Sequence, residues 1–353
     1  MKQSTPPIGA QTTHNQRNSS IELYRIIATF TVLIVHFNGW FVGGMPEILD
    51  LEDLSTFRLG QAIIESATCI CVNMFLIISG YFGIHLKLSS VFRIVLLLLF
   101  IKVPLYLFNS LYHHTFGIGD FIHNFFVISK AGYFVQCYMM LMFLSPALNA
   151  LIEKRKKHIV LYWTIAFFLI EFYFDNIKNI ECFGFNKGYS IMHFVLMYMV
   201  ARCLSIYKET LMKIRLIYWI VGYFACTLMI MGLYTFGVKW TFAYSNPVVI
   251  MSAICTFMPF IYRFFYNKFI NWIAAGTFTV YIVHCANPVY SYLVRLDNFL
   301  LESYPYCVYL VFIMLVICFL FILCIIYDKL CNIAIVPVTK FVHIKYDGKY
   351  DLR

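Results

Sequence analysis

Long uninterrupted apolar runs are the sequence feature that most constrains the fold of this chain. Residues 308–326 contain no charged side chain, and an apolar stretch of this length is typical of a helix that crosses a membrane. Across the 353 residues, 61% are hydrophobic and only 12% are charged, whereas soluble domains have roughly 45–50% apolar and about 25% charged residues. The sequence therefore predicts an all-α polytopic membrane protein. It argues against a soluble enzyme, a disordered chain and a nucleic-acid binder.

Hydropathy divides the chain into ten apolar segments, each near the length of about 20 residues that a spanning helix needs. The predicted transmembrane helices are 21–41, 62–84, 91–110, 133–151, 159–176, 189–206, 216–236, 246–264, 272–294 and 304–327. With the N-terminus in the cytoplasm, nineteen of the 27 lysines and arginines fall in cytoplasmic segments and six in outer loops. Because cytoplasmic loops are enriched in positive charge, this bias predicts that both termini are cytoplasmic.

The predicted organisation is a polar cytoplasmic segment at 1–20, a ten-helix transmembrane domain at 21–328 and a basic cytoplasmic tail at 329–353. No loop between the predicted helices is long enough to hold a second soluble domain, so we expect any activity to reside in the helical bundle. Cys69 and Cys71 are too close in sequence for the usual pair of zinc ligands. The sequence therefore predicts neither a metal centre nor a bound cofactor.

Arg25 and His36, in the first predicted helix, are the strongest functional candidates. Ionisable side chains are costly inside lipid and by default indicate a functional site. Their eleven-residue step is about three helical turns, which puts both on one face about 16 Å apart along the axis. They could therefore contact two ends of one long ligand. The alternative is that Arg25 extends to the headgroups and His36 is a hydrogen-bonded packing residue.

Several other polar residues fall within the predicted helices and could support the site or line an acceptor pocket. They are Glu65, Asn73, Ser79, Gln136, Glu171, His193 and His284. Glu65, Glu171 and His193 are expected at the depth of His36, so one polar chamber that opens outward would collect all four if their helices face inward. The competing interpretation is that headgroup water solvates them.

The first helix resembles the opening helix of the membrane-bound acyltransferase 3 family. That family's most specific mark is an Arg followed after ten residues by a His, and Arg25 and His36 match it. The segments 73–81, 133–138 and 276–284 are similar to later motifs of the family and occur in the same order. The resemblance covers nearly the whole chain.

The resemblance implies O-acyl transfer, usually of an acetyl group, from cytoplasmic acyl-CoA to a hydroxyl of a cell-surface polysaccharide or a lipid-linked glycan. It implies that His36 is the catalytic histidine and that Arg25 helps to position the donor. Many members have an Arg-x-x-Arg pair after the second helix, where this chain has only Lys87 and Arg93. We expect these two residues and Arg25 to bind the phosphates of CoA, since basic side chains pair well with such anions.

A histidine, with an unperturbed pKa of about 6.5, suits the role of general base, and Glu65 or Glu171 is a candidate to orient the His36 ring. A covalent acyl-histidine is the alternative to direct transfer. Acetyl-CoA is the expected donor, but a succinyl or longer acyl group stays open. The expected location is a bacterial cytoplasmic membrane, where lipids are partners and nucleic acid is not.

Two other function classes remain open from the residues. A transporter or permease would need acids and bases paired near the midplane, where the sequence has few acids. A membrane sensor or scaffold would tolerate loss of His36. The sequence does not identify the acceptor glycan or the oligomeric state.

Overall fold

The computed structural model describes residues 17–49, 55–125, 132–178 and 184–347. Within these ranges the chain is helical and has no β-strand. The α-helices are α1 (Ser19–Asn38), α2 (Thr56–Thr68), α3 (Cys71–Phe82), α4 (Leu88–His113), α5 (Ile118–Phe125), α6 (Tyr133–Glu153), α7 (Lys157–Glu171), α8 (Ile191–Ile206), α9 (Lys208–Leu211), α10 (Leu216–Thr235), α11 (Pro247–Ile261), α12 (Lys268–Ala274), α13 (Thr277–His284), α14 (Val289–Ser303) and α15 (Tyr306–Val342). A 3₁₀ turn follows α1 at Trp40–Val42, and π-helical turns follow α7 at Phe172–Lys178 and α15 at His343–Asp347.

Seven helical stretches of the described chain are long and apolar enough to cross a membrane. They are Ser19–Val42, Thr56–Phe82, Leu88–His113, Tyr133–Glu153, Lys157–Lys178, Leu216–Thr235 and Tyr306–Asp347. Lys268–His284 and Val289–Ser303 form an eighth candidate that is bent by 81°. The predicted helices at 189–206 and 246–264 correspond to α8 and α11, which have only 16 and 15 residues. An all-α fold with several candidate membrane helices is confirmed, whereas the count of ten and the cytoplasmic termini stay predictions.

Apolar side chains cover the outside of the bundle as well as its core. Leu228 of α10 and Phe319 of α15 are 74% and 64% exposed, and many other large apolar residues are exposed with them. Soluble monomers rarely expose large contiguous apolar surfaces. A surface of this kind fits a lipid environment and supports an integral membrane protein.

The predicted single helix at 272–294 is wrong, because the chain there forms α12, α13 and the start of α14. A sharp bend separates α13 from α14 at residues 285–288. Pro288 lacks an N–H and disfavours helical backbone at the residue before it, which accounts for the break. His284 is therefore the last residue of a short helix and does not lie in the middle of a long one.

The helix α1 lies at the centre of the fold. It contacts α2, α3, α11, α12, α13 and α15. Its buried residues Tyr24 and Val32 belong to one apolar core, and Leu33 and Phe37 belong to a second core that includes residues of α15. Arg25 and His36 are therefore carried by a helix that neighbours hold on several sides.

The contact between α3 and α8 depends on Gly80. A Cβ atom on Gly80 would lie 2.6 Å from the Cβ of Ala201, which is too close for two carbon atoms. Only glycine therefore allows these two helices to approach so closely. Asn73 and His193 lie on the same two helices, so this packing also brings polar residues together.

The C-terminal helix extends beyond the predicted end at residue 327. It continues to Val342, across the predicted boundary at 328, and the π-helical turn after it ends at Asp347. There the Oδ1 atom of Asp347 accepts a hydrogen bond of 2.8 Å from the backbone N–H of Leu88. The end of the described chain is thus attached to the beginning of α4.

Candidate active site

His36 and His284 form the centre of the candidate site. His36 lies in the last turn of α1 and His284 is the last residue of α13. The Nδ1 atom of His36 is 2.8 Å from the Nε2 atom of His284. The sequence indicates both residues as candidates but does not pair them, because 248 positions separate them and only the tertiary fold brings them into contact.

Hydrogen bonds define where the protons of this pair lie when both rings are neutral. His284 Nδ1 is 2.7 Å from the carbonyl oxygen of Val280, which can only accept, so Nδ1 carries the proton. His284 Nε2 then has the lone pair, and His36 Nδ1 donates to it. The remaining nitrogen, His36 Nε2, keeps a free lone pair. A general base requires this state.

Aromatic side chains surround the His36 ring. Trp40 meets it edge to face with ring centroids 4.7 Å apart, and Phe41 lies at 6.0 Å. Tyr290 packs on both, at 5.6 Å from Trp40 and 5.4 Å from Phe41. Trp40 is 55% exposed, so part of this aromatic wall is open to a ligand.

Neither glutamate that was expected to orient His36 contacts it. Glu65 accepts a hydrogen bond of 2.9 Å from the side chain of Asn38, two residues after His36. Glu171 pairs with His193 at 3.1 Å. The residue that holds the His36 ring is His284. The four residues of the expected chamber therefore fall into separate hydrogen-bonded groups and do not contact one another as one set.

Glu171, His193 and Asn73 form a buried hydrogen-bonded chain. His193 Nδ1 is 3.1 Å from Glu171 Oε2, and His193 Nε2 is 2.8 Å from Asn73 Oδ1. The amide nitrogen of Asn73 donates to the carbonyl oxygen of Tyr244 at 2.9 Å, which fixes the orientation of the amide. Asn73 Oδ1 must then accept from His193, so the chain links α3, α7 and α8 through a defined set of donors.

A second candidate region is a pocket of about 350 Å³ at the other end of α1. Arg25, Ser79 and Arg93 line it, so the fold brings three of the predicted residues together. Lys87 precedes α4 and is not among the lining residues, although Ser90, three residues further along the chain, is. The pocket is basic and partly apolar, as a site for an anionic group with an apolar arm would be.

The arginines around this pocket differ in their partners, because Arg25 has an acidic partner and the Nε atom of Arg202 has none within the described chain. Arg25 donates to Glu22 at 2.9 Å, and Glu22 also pairs with Arg17 at 3.2 Å. Arg202 at the end of α8 has a buried Nε that makes no hydrogen bond within the described chain. Its Nη1 lies 3.3 Å from the position that a Cβ on Gly83 would take, and Gly83 lines the pocket. From the sequence alone, Arg202 is only one of the nineteen predicted cytoplasmic charges and is not indicated as a site residue.

Side chains of α6 and α8 hold the segment after α3, which forms one wall of the pocket. The hydroxyl of Tyr198 accepts from the backbone N–H of Ile84 at 3.1 Å and donates to Asn149. The Asn149 amide in turn donates to the carbonyl oxygen of Ile84 at 2.9 Å. These buried contacts fix the segment beside Gly83.

Gln136, the remaining predicted residue, is half-buried near the start of α6. Tyr133 and Phe134, three and two residues before it in α6, are aromatic. Tyr133 packs on Tyr189 with centroids 4.9 Å apart, and Phe134 packs on Tyr281 at 5.2 Å. The structure therefore places Gln136 beside an aromatic cluster.

The comparison with known families agrees with this arrangement. The family described as "Acyltransferase domain" matches residues 18–327, a range that includes both histidines and the whole basic pocket. No curated protein and no solved structure matches the chain. Since the match covers most of the 353 residues, the chain belongs to the acyltransferase 3 family of membrane acyltransferases.

Proposed function

We propose that this protein transfers an acetyl group from cytoplasmic acetyl-CoA to a hydroxyl of a cell-surface polysaccharide or a lipid-linked glycan, with His36 as the general base. The observation that carries the proposal is the hydrogen bond between His36 Nδ1 and His284 Nε2. It leaves the lone pair of His36 Nε2 available, as removal of a proton from an alcohol requires.

The reaction moves one proton and replaces the C–S bond of the thioester with the C–O bond of an ester. The acceptor hydroxyl gives its proton to His36 Nε2 while its oxygen attacks the thioester carbonyl carbon. The C–S bond then breaks, and the leaving CoA sulfur takes the proton back from His36. While His36 is positively charged, its Nδ1–H bond to His284 becomes charge-assisted and therefore stronger. His284 thus stabilises the charge that develops during transfer.

The basic pocket is the proposed site of the CoA phosphates. Arg25 and Arg93 line it and the partly buried Arg202 adjoins it, and guanidinium groups bind phosphate in bidentate geometry. Arg25 and His36 lie on the continuous helix α1, about 16 Å apart along its axis. An extended pantetheine arm along α1 would connect the pocket with the histidine pair.

The aromatic wall beside His36 is the proposed place of the acceptor. Trp40, which is 55% exposed, lies next to the His36 ring, and Tyr290 packs on Trp40. Sugar rings present apolar C–H faces that pack well on large aromatic surfaces. A glycan held on Trp40 would present a hydroxyl to the free nitrogen of His36.

The decisive experiment compares membranes that contain the wild type, His36→Ala and His158→Ala with radiolabelled acetyl-CoA and membranes from cells that make the surface glycan. Removal of a general base typically costs about 10²–10⁴-fold in rate, so we expect His36→Ala to abolish base-labile incorporation of the label. His158 is exposed at the start of α7, and its variant serves as the matched control. Full activity of His36→Ala at wild-type protein levels would reject His36 as the general base.

A further inference from the structure

A thiol lies beside the two histidines and has no part in the proposed reaction. Cys285 Sγ is 3.3 Å from His284 Nε2. One ligand atom each from His36, His284 and Cys285 can be chosen so that all three lie within 4.8 Å of one another. His36 and Cys285 are partly exposed, whereas His284 is buried.

These three side chains fit the chemistry of a zinc ion. Zinc binds imidazole nitrogen at about 2.0–2.1 Å and thiolate sulfur at about 2.3 Å, so neighbouring ligand atoms of a tetrahedral site are about 3.3–3.7 Å apart. The separations of 2.8 Å and 3.3 Å around His284 need an outward movement of some tenths of an ångström, and the third pair, which lies within 4.8 Å, closes by rotation of the Cys285 or His36 side chain. His284 also donates its other N–H to the Val280 carbonyl, which is the outer contact that metal-binding histidines commonly make.

We propose that His36, His284 and Cys285 bind Zn²⁺ and that the bound ion switches the acyltransferase off. The ion is a reversible inhibitor in this proposal and not a resident cofactor. The binding site stands on the three side chains alone, whereas the inhibition rests on the proposed role of His36 as the base.

The proton positions explain why the ion would inhibit. His36 can bind zinc through Nδ1 only if the proton on Nδ1 moves to Nε2, because a metal needs a lone pair. The nitrogen that would act as the base then carries the proton and cannot accept another. If His36 instead binds zinc through Nε2, the ion occupies the base directly. Either arrangement removes the free lone pair.

Zinc binding also changes the protonation of the thiol. The thiol of Cys285 must lose its proton to the solvent, since the thiolate is the metal ligand. Three protein ligands leave the fourth position of the ion to water.

Binding is tested with purified full-length protein in detergent and Co²⁺ as a spectroscopic probe for zinc. We expect a thiolate-to-cobalt charge-transfer band in the wild type that Zn²⁺ removes by displacement. The band should be absent in Cys285→Ser and unchanged in Cys307→Ser, which removes an exposed cysteine at the start of α15. Absence of the band in the wild type, or its persistence in Cys285→Ser, would overturn the site.

Inhibition is tested separately by titrating Zn²⁺ into the acetyl-transfer assay. Cys285→Ser should keep the basal activity and need at least about 10–100-fold more Zn²⁺ for half inhibition. Loss of an outer contact of a metal site typically lowers the metal affinity by this factor, and loss of a direct ligand should lower it at least as much. A chelator should restore the wild-type activity. Equal inhibition of the wild type and Cys285→Ser would overturn the switch. Activity of His36→Ala would reject the proposed function, and the cobalt band would still decide whether the metal site exists.

Discussion

His36 Nδ1 donates its proton to His284 Nε2 across 2.8 Å, and this single hydrogen bond joins the end of α1 to the end of α13. His284 is itself held by its bond to the Val280 carbonyl oxygen. The two contacts are coupled. The hydrogen bond from His284 Nδ1 to Val280 selects the tautomer in which His284 Nε2 can accept from His36. A residue that never touches the substrate therefore determines whether His36 has a lone pair to offer.

The first prediction concerns His284 as a positioning residue. A hydrogen bond to a charged group contributes about 1.5–3 kcal/mol, and the bond to His36 is charge-assisted only after His36 has taken the proton. His284→Ala should therefore lower kcat about 10- to 100-fold and leave the KM for acetyl-CoA nearly unchanged. Initial rates at several donor concentrations separate the two constants.

The matched variant for this test is His284→Gln. Its side-chain carbonyl can accept the proton of His36 Nδ1, so it should recover part of the kcat that alanine loses. A merely structural role would not distinguish the two variants in this way. If His284→Ala raised KM and left kcat intact, the assignment to proton positioning would be rejected.

The second prediction concerns Arg202. Its Nε is buried without a hydrogen bond in the described chain, and it adjoins the pocket next to Gly83. A hydrogen bond from Arg202 to a CoA phosphate would contribute about 1.5–3 kcal/mol to donor binding. Arg202→Gln should therefore raise the KM for acetyl-CoA about 10- to 100-fold and leave kcat unchanged. Arg215→Gln, at an exposed position before α10, is the control for loss of one cytoplasmic charge. An unaltered KM in Arg202→Gln would exclude this arginine from the donor site.

Much of this fold could be predicted from the sequence, because lipid imposes a simple rule on it. Apolar segments of about 20 residues must form helices, and every predicted segment does contain helix. The helix at 272–294 was predicted as continuous because hydropathy is insensitive to a sharp bend. The bend before Pro288 is a local backbone effect that a window average cannot detect.

The candidate site could be predicted only in part, for a different reason. The spacing of Arg25 and His36 is a property of one helix, so the sequence alone defines it. The sequence does not define the partner of His36 in the same way. Glutamate and histidine suit that role equally well, and depth in the membrane was the only criterion available to choose between them. Arg202 was missed since one more basic residue near a helix end is the ordinary pattern of a cytoplasmic boundary.

The third prediction concerns the attachment of the C-terminal turn to α4. Asp347 accepts hydrogen bonds from the backbone N–H of Leu88 at 2.8 Å and from the Ser89 hydroxyl, so it caps the first turn of α4 from a distant part of the chain. Loss of such a cap costs about 0.5–2 kcal/mol. Asp347→Ala should lower the thermal midpoint of the detergent-solubilised protein, as measured by intrinsic fluorescence.

Asp347→Asn keeps a side-chain oxygen that can accept from Leu88, so it should unfold closer to the wild type than the alanine variant does. Because α4 also carries Ser90 and Arg93 of the basic pocket, the alanine variant should in addition show a raised KM for acetyl-CoA. Equal thermal midpoints in the wild type and Asp347→Ala would show that the contact does not stabilise α4.

The last prediction concerns the buried pair of Glu171 and His193. Both are almost fully inaccessible, at 1% and 0% exposure, and removal of one partner from a buried pair costs about 3–5 kcal/mol because the other is left uncompensated. His193→Leu should therefore be strongly destabilising, whereas His193→Leu combined with Glu171→Leu should regain much of the loss. Thermal midpoints of the wild type, both single variants and the double variant give the coupling free energy. Additive losses in the double variant would mean that the two residues do not act as a pair.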